Sequence, residues 1–270
     1  MDREIIHSRL MQLVDGNKKN ELRGALLMLN VVDIASFMES LESEKLLMVF
    51  RILPKDIAAE VFAYIDSEQQ QQLVTLIGDG EIHSLLDEMF LDDAVDFLEE
   101  LPASVVKRVL QNTDPTKRAL INQFLKYPEN SAGSIMTIEF AEFHSSMTVR
   151  QAMESLRKTG LDKETIYTCY VIDSQRHLVG TVALRHLILA DEDKPVSDIM
   201  ATNFISVKTL DDQEVVADTV RKYDLMSIPV VDNENRLVGI VTADDIMDVI
   251  EDENTEDFEK MAAMTPSEDE

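Results

Sequence analysis

Residues 223–257 read YDLMSIPVVDNENRLVGIVTADDIMDVIEDENTED. Two β-rich runs, Met226–Val231 and Leu237–Val241, flank the polar turn Asp232–Arg236, and the pattern predicts a helix beginning behind Thr242. Acids crowd that helix. From Asp244 to Glu270 there are 12 acidic residues against one base, Lys260. A stretch so charged needs cations or open water around it.

The same pattern occurs once more upstream. YVIDSQRHLVGTVALRHLI (Tyr170–Ile188) aligns with IPVVDNENRLVGIVTADDIM, placing Asp173 over Asp232 and Gly180 over Gly239, an offset of 59 in both cases (232 − 173 and 239 − 180). SIMT (Ser134–Thr137) and DIMA (Asp198–Ala201) begin the two copies, each read as a βαββα unit. Copy one carries Ala183, His186 and Leu189 where copy two has Thr242, Asp245 and Asp248. The strand-and-helix pattern therefore does not itself require the acids.

Before the punctuation YPENSAGS (127–134), a different rule governs the chain. Apolar residues return in the frame "apolar, apolar, two others, apolar" at Phe37/Met38/Leu41, Val49/Phe50/Leu53, Val61/Phe62/Ile65, Leu73/Val74/Ile77, Leu85/Leu86/Met89 and Phe97/Leu98/Leu101, each frame 12 residues after the last (49 − 37, and so on). Pro54, Asp66, Gly78 and Pro102 follow four of the frames, and such residues start or stop helices. Each unit is about two and a half helical turns plus a tight turn, too small to hide its own apolar stripe, so neighbours must stack. The expected architecture is an all-α, right-handed helical solenoid over residues 1–130, then a βαββα pair over 131–195 and 196–252, then an acidic helix over 253–270. Within the solenoid Asp92 and Asp96 stand four apart on one helix face, with Asp93 and Glu99 nearby.

Composition narrows the function classes. The 270 residues carry 25 Lys plus Arg against 52 Asp plus Glu, a net charge of −27, with 45% hydrophobic content. That charge repels nucleic acid and anionic lipid and favours cations or basic proteins as partners, while the apolar content suffices for real cores. The single Cys169 cannot form an internal disulfide and sits in the apolar run IYTCYVI, where it reads as an inert core thiol in a reducing compartment. No run reaches the roughly 18–20 apolar residues of a membrane helix, so direct membrane insertion by these residues is not expected. Carboxylates are plentiful, yet no His cluster, nucleophile motif or phosphate-cradling Gly-rich loop accompanies them, and no enzyme is expected.

The duplicated unit resembles a tandem of cystathionine-β-synthase (CBS) domains, whose second halves carry an apolar-Pro-apolar-apolar-Asp strand followed by L-x-G-apolar-apolar-Thr-x-x-Asp. Ile228, Pro229, Val230, Val231, Asp232, Leu237, Gly239, Thr242 and Asp245 fit that motif. CBS pairs often bind adenine nucleotides through the Thr and Asp of this motif, so the resemblance implies Thr242 and Asp245, with Pro229 of the same motif, as nucleotide contacts; Arg185, two residues after Ala183, is a further candidate for a phosphate by its charge. The order of parts is more specific. A helical repeat, the junction YPENSAGSIMT and a CBS pair ending in GIVTADDIMDVIEDENTEDFEKMA together resemble the cytosolic portion of the MgtE family of magnesium channels and transporters.

What that resemblance implies is a homodimer, joined through its CBS domains at the cytoplasmic face of the cell membrane. Its helical domain closes on the CBS pair through Mg²⁺ held between facing carboxylates. It further implies that the chain is a regulatory fragment, whose own membrane domain would follow a connecting helix from about Glu253. Carried over by position, the expected ligands of several weak Mg²⁺ sites are Glu60, Asp92, Asp96, Asp212, Glu214, Asp224, Asp245, Asp248, Glu253, Glu256 and Asp257. The residue types agree with a hard cation that keeps several waters and takes one or two carboxylates per site, and they lack the Cys/His pattern of zinc. The alternative is an adenine-nucleotide-sensing CBS module. For ATP, the family's pocket uses an aromatic near the position of Leu225, which is leucine here.

Overall fold

Helices of the first half keep the beat of the sequence. After α1 (Arg3–Asp15) and α2 (Lys19–Leu26) come α3 (Val31–Glu39), α4 (Ser43–Ile52), α5 (Lys55–Tyr64), α6 (Ser67–Leu76), α7 (Asp79–Glu88), α8 (Leu91–Glu99), α9 (Ala103–Gln111) and α10 (Pro115–Phe124). From α3 to α10 they start at residues 31, 43, 55, 67, 79, 91, 103 and 115, twelve apart each time. The computed structural model describes residues 3–99 and 101–264, with side chains described over 5–99, 101–102, 105–251 and 253–255. Two compact units divide the chain, residues 1–122 and 123–270.

The frame residues explain the beat. All of them are buried, and the third apolar residue of a frame lies outside the helix, in a link that is two residues long after α4, α5, α6 and α7. Leu53 (ψ 149°), Ile65 (ψ 152°), Ile77 (ψ 155°) and Met89 (ψ 148°) anchor those links. The punctuation residues then start the next helix: Asp66 accepts a hydrogen bond from the Gln69 N–H at 2.8 Å, and the Gly78 N–H donates to Glu81 at 2.9 Å. Along the repeat, helices pack on the next but one, α3 on α5, α5 on α7, α7 on α9 and α4 on α6. Phe62 joins three of them, its ring edge-on to Phe50 (6.3 Å between centroids) and Phe97 (4.9 Å).

Polar straps about thirty residues long in sequence tie the rungs. Arg51 grips Glu81 with two bonds of 2.8 and 2.9 Å, and that bond to Arg51 holds the Glu81 carboxyl below its ordinary range. Arg108 caps the end of α6 through the Val74 and Ile77 carbonyls, and Lys117 caps α7 through those of Leu86 and Met89. Cations at helix C-termini satisfy carbonyls that have no partner inside the helix.

The second unit holds β1 (Phe140–His144), α11 (Val149–Thr159), β2 (Thr165–Ile172), β3 (Leu178–Ala183) and α12 (Leu184–Leu189). It then repeats the order as β4 (Val207–Lys208), α13 (Gln213–Tyr223), β5 (Ser227–Val231), β6 (Leu237–Thr242) and α14 (Ala243–Met264). Each copy makes a three-stranded sheet, first pair parallel and second antiparallel. The acidic stretch is not a separate helix from Glu253. It continues α14 without a break, because nothing between Ile250 and Thr255 stops a helix.

The openings of the two copies are exchanged. Thr137, at the end of SIMT, pairs with Ile240 of β6, and Ala201, at the end of DIMA, pairs with Thr181 of β3. Each opening thus completes the sheet of the other copy. Reciprocal bonds continue the quasi-twofold relation: the Leu178 N–H donates to Asn235 O and the Leu237 N–H to Arg176 O, both 3.0–3.1 Å. Phe140, Tyr170, Leu178, Val231, Leu237 and Ile240 form a core shared by the copies. Cys169 lies in the separate core of copy one, where burial pushes its thiol up to about 12.

Candidate functional site

Between the two copies opens a cleft of about 800 Å³, within the range of small-molecule sites. One wall comes from β2 and the turn into α12, the other from residues 201–205 and the turn into β5. At its centre the Tyr170 hydroxyl meets Ser227 Oγ at 2.7 Å, so a residue from each copy closes the floor. Burial raises the Tyr170 phenol above its ordinary range and the bond to Ser227 draws it partly back. Tyr167, Phe204 and Pro229 supply flat apolar surface, and Arg185 and His186 bring cationic or titratable nitrogen. Such a set can hold a planar ring system and an attached anion.

Of the expected nucleotide contacts, Arg185 and Pro229 line the cleft, and so do Leu225 and Asp224. Asp224 takes the left-handed conformation (φ 50°, ψ 47°) that ends α13. Thr242 and Asp245 are engaged with each other at the start of α14: Asp245 Oδ2 accepts from the Thr242 hydroxyl at 2.5 Å and from its N–H at 3.3 Å. That is the chemistry of a helix cap. Burial raises the Asp245 carboxyl above its ordinary value, its bond to Thr242 opposes this, and the charges of Asp244 and Asp248 add to the rise. Tyr170 and Ser227 were not singled out by the sequence, although Tyr170 is the duplicate of Pro229 at the offset of 59.

The expected cation ligands fall into several places. Glu60 is exposed on α5; on α8, Asp92 is buried and accepts the Asp93 N–H at 3.1 Å, while Asp96 is exposed one turn on. Asp212 caps α13 by accepting the Glu214 N–H at 2.9 Å. Between them in sequence, Gln213 is 8% exposed and donates from Nε2 to Glu253 Oε1 at 2.9 Å. Because α13 packs along α14, the start of α13, where Asp212 and Glu214 flank Gln213 in sequence, lies beside the middle of α14 at Glu253, forty residues on. Asp224 is at the other end of α13, about 16 Å away at 1.5 Å per residue. Asp245 and Asp248 occupy the first turns of α14, with Asp248 exposed. Glu256 and Asp257 have side chains outside the described residues.

Among the described residues no three His, Cys, Asp or Glu side chains converge as a metal-holding group. The carboxylates expected as ligands offer only oxygen, which suits Mg²⁺ ahead of softer metals. No described helix is long and apolar enough to cross a membrane.

Residues 29–130 match the profile of the MgtE intracellular N domain, and residues 132–193 and 196–252 each match that of the CBS domain. The chain is 37% identical over 268 residues to the magnesium transporter MgtE of Thermus thermophilus, covering 98% of this chain and 59% of that protein. It is 33% identical over 243 residues to the magnesium transporter MgtE of Bacillus subtilis, covering 86% and 54%. It thus spans little more than half the length of these relatives. Among solved structures, it is similar to a crystal structure of the soluble part of a magnesium transporter, with a TM-score of 0.88, 35% identity, and coverage of 93% of this chain and 99% of that one. It is also similar to the cytosolic domain of the Mg²⁺ channel MgtE in complex with ATP, with a TM-score of 0.85, 35% identity and coverage of 90% and 99%.

Proposed function

This chain belongs to the MgtE family of magnesium transporters, and we propose on that premise that it is the Mg²⁺-sensing regulatory region, set at the cytoplasmic face of the membrane. In this reading the helical domain, residues 1–130, closes on the CBS domains, residues 131–195 and 196–252, when Mg²⁺ bridges carboxylates of the two, and opens when the ion leaves. Transport itself belongs to a membrane domain joined through the acidic end of α14. The observation that supports the proposal is the packing of α13 along α14, which brings Gln213, between Asp212 and Glu214 in sequence, within a 2.9 Å hydrogen bond of Glu253.

The energetics are of the right size. Two carboxylates about 4 Å apart repel by roughly 1 kcal/mol in water and about 4 at an effective dielectric near 20. Moving an equilibrium from 1:99 to 99:1 takes about 5.5 kcal/mol, which a few ion-bridged pairs supply together. When bound, Mg²⁺ neutralises these acids. Asp92, Asp96, Glu60, Asp224, Asp245, Asp248, Glu256 and Asp257 complete the proposed set.

Pairs of exposed apolar residues support a homodimer through the CBS unit. Tyr167 and Met226 correspond at the offset of 59, as do Ile188 and Met247, and all four are exposed by more than half. Limited proteolysis of residues 127–134 tests the sensor: protection should appear at millimolar MgCl₂, stay absent in NaCl of equal ionic strength, and be lost in Asp92→Asn/Asp96→Asn. Cleavage indifferent to Mg²⁺ would overturn the proposal.

The cleft favours a second role beside the first, adenine-nucleotide binding, which the ATP complex of a similar cytosolic domain supports. Arg185 would meet a phosphate, and Tyr167 or Phe204 would stack on the base in place of an aromatic at Leu225. Equilibrium binding of ATP, ADP and AMP decides it. Tight binding without any Mg²⁺ response would make nucleotide sensing the primary function.

A further inference from the structure

The helical repeat stops one rung short of covering itself. A helix continuing the twelve-residue beat would start at residue 127 and pack on α9, as α9 packs on α7 and α7 on α5. The chain instead leaves α10 at Phe124, reads YPENSAGS over 127–134 and, among the described residues, forms no further helix before β1. Where that rung would lie is an open groove of about 510 Å³, lined by Leu101, Val106, Lys107, Leu110, Gln111 and Arg118. Leu101 and Val106 stand 48 residues after Leu53 and Ala58 (101 − 53 and 106 − 58), which line the corresponding groove at α5. There α7 supplies the other wall with Gly80, Glu81, Ser84 and Leu85, only about 220 Å³ remains, and Glu81 takes up Arg51. A terminal repeat in a stacked array ordinarily turns a polar face outward. This one turns out Val106 and Leu110, both half-buried.

Charge singles out the same end. Residues 101–126 hold five bases, Lys107, Arg108, Lys117, Arg118 and Lys126, against one acid, Asp114, in a chain whose net charge is −27. Arg108 and Lys117 are turned back to cap α6 and α7. Lys107 is exposed in the groove wall, and Arg118, in the same wall, donates from Nη1 to Leu110 O at 3.3 Å. We propose that this open end is a docking groove for an acidic amphipathic helix of a separate protein. Apolar side chains of that helix, spaced i, i+3, i+4, take the place of the absent rung against Leu101, Val106 and Leu110, and its carboxylates meet Lys107 and Arg118, as Glu81 meets Arg51. A helix is the natural occupant because helices fill the equivalent grooves, and α9, nine residues and about 13 Å long, asks for two to three turns of it. A second copy of the chain would bring its whole charge of −27 against this one, whereas a separate protein need carry acids only where it docks. Acids more than about 8 Å from the groove are screened at physiological salt.

The probe is a side-chain-stapled peptide of the α7 sequence, residues 79–90 (DGEIHSLLDEMF), an acidic amphipathic helix that covers the equivalent groove within the fold. Fluorescence anisotropy of the labelled peptide against the full chain, without Mg²⁺, measures binding, and thermal unfolding checks each variant. The wild type should bind it. Lys107→Glu/Arg118→Glu should weaken binding about tenfold with melting unchanged, and should instead take up a peptide carrying Asp79→Lys, Glu81→Lys, Asp87→Lys and Glu88→Lys. Val106→Asp, which leaves both cations in place, should also lose the acidic peptide, and it keeps the test open if the double variant folds poorly. No binding to the wild type, or binding that neither variant weakens, would overturn the proposal. So would self-association of the wild type, read by sedimentation, that the double variant abolishes, because a second copy would then be the occupant.

Discussion

Gly239 has no room for a methyl group. A Cβ there would be 2.6 Å from the Met136 sulfur and 2.9 Å from the Thr137 carbonyl oxygen, and at Gly180 it would meet Met200 at 2.7 Å and the Ala201 oxygen at 3.0 Å. A thioether can move, but the carbonyls belong to the exchanged strands that pair with β6 and β3. Gly239→Ala and Gly180→Ala should therefore each destabilise the second unit by about 1–3 kcal/mol, read as a lower urea midpoint. Both glycines were plain in the duplicated sequence, and so were Met136 and Met200. What the sequence could not say was that each methionine covers the glycine of the opposite copy, since contacts between copies leave no trace in the spacing within one. Thr242 and Asp245 show something the motif did not: the two close the start of α14 on each other.

At the scale of elements, the first half was legible because one rule repeats. The 12-residue frame read from Phe37 to Leu101 is matched by helices that start twelve residues apart from Val31 to Pro115, and the links between helices are anchored by the frame's own third residue. The link residues are extended because a buried apolar side chain just before Pro54, Asp66 or Gly78 has to turn the chain within two residues. Phe62→Ala should cost about 3–5 kcal/mol, and because neighbours stack serially the loss should fall on the helical unit. Circular dichroism with denaturant should then show an early helical transition and an unshifted later one. In α14 the acids and the onset of the helix were legible, but the pattern suggested a boundary near Glu253 where the helix runs on. Alignment of α13 along α14, which brings Glu253 to Gln213, comes from packing between helices forty residues apart, and spacing along the chain does not report it.

For the whole molecule, the order of parts was the legible signal: a helical repeat, a junction and two CBS copies in a chain of net charge −27. Which carboxylates work together was legible only in part. Gln213, flanked in sequence by Asp212 and Glu214, reaches Glu253, whereas Asp224 is a helix length away and Asp245 is turned to Thr242. The central claim is that Mg²⁺ closes the helical domain on the CBS pair. Small-angle X-ray scattering of the full chain across a MgCl₂ titration measures this directly, with NaCl as the screening control. The account predicts a radius of gyration that falls over the millimolar range of MgCl₂ and recovers when the ion is chelated. A radius unchanged by Mg²⁺, or one that falls equally in NaCl of matched ionic strength, would contradict it.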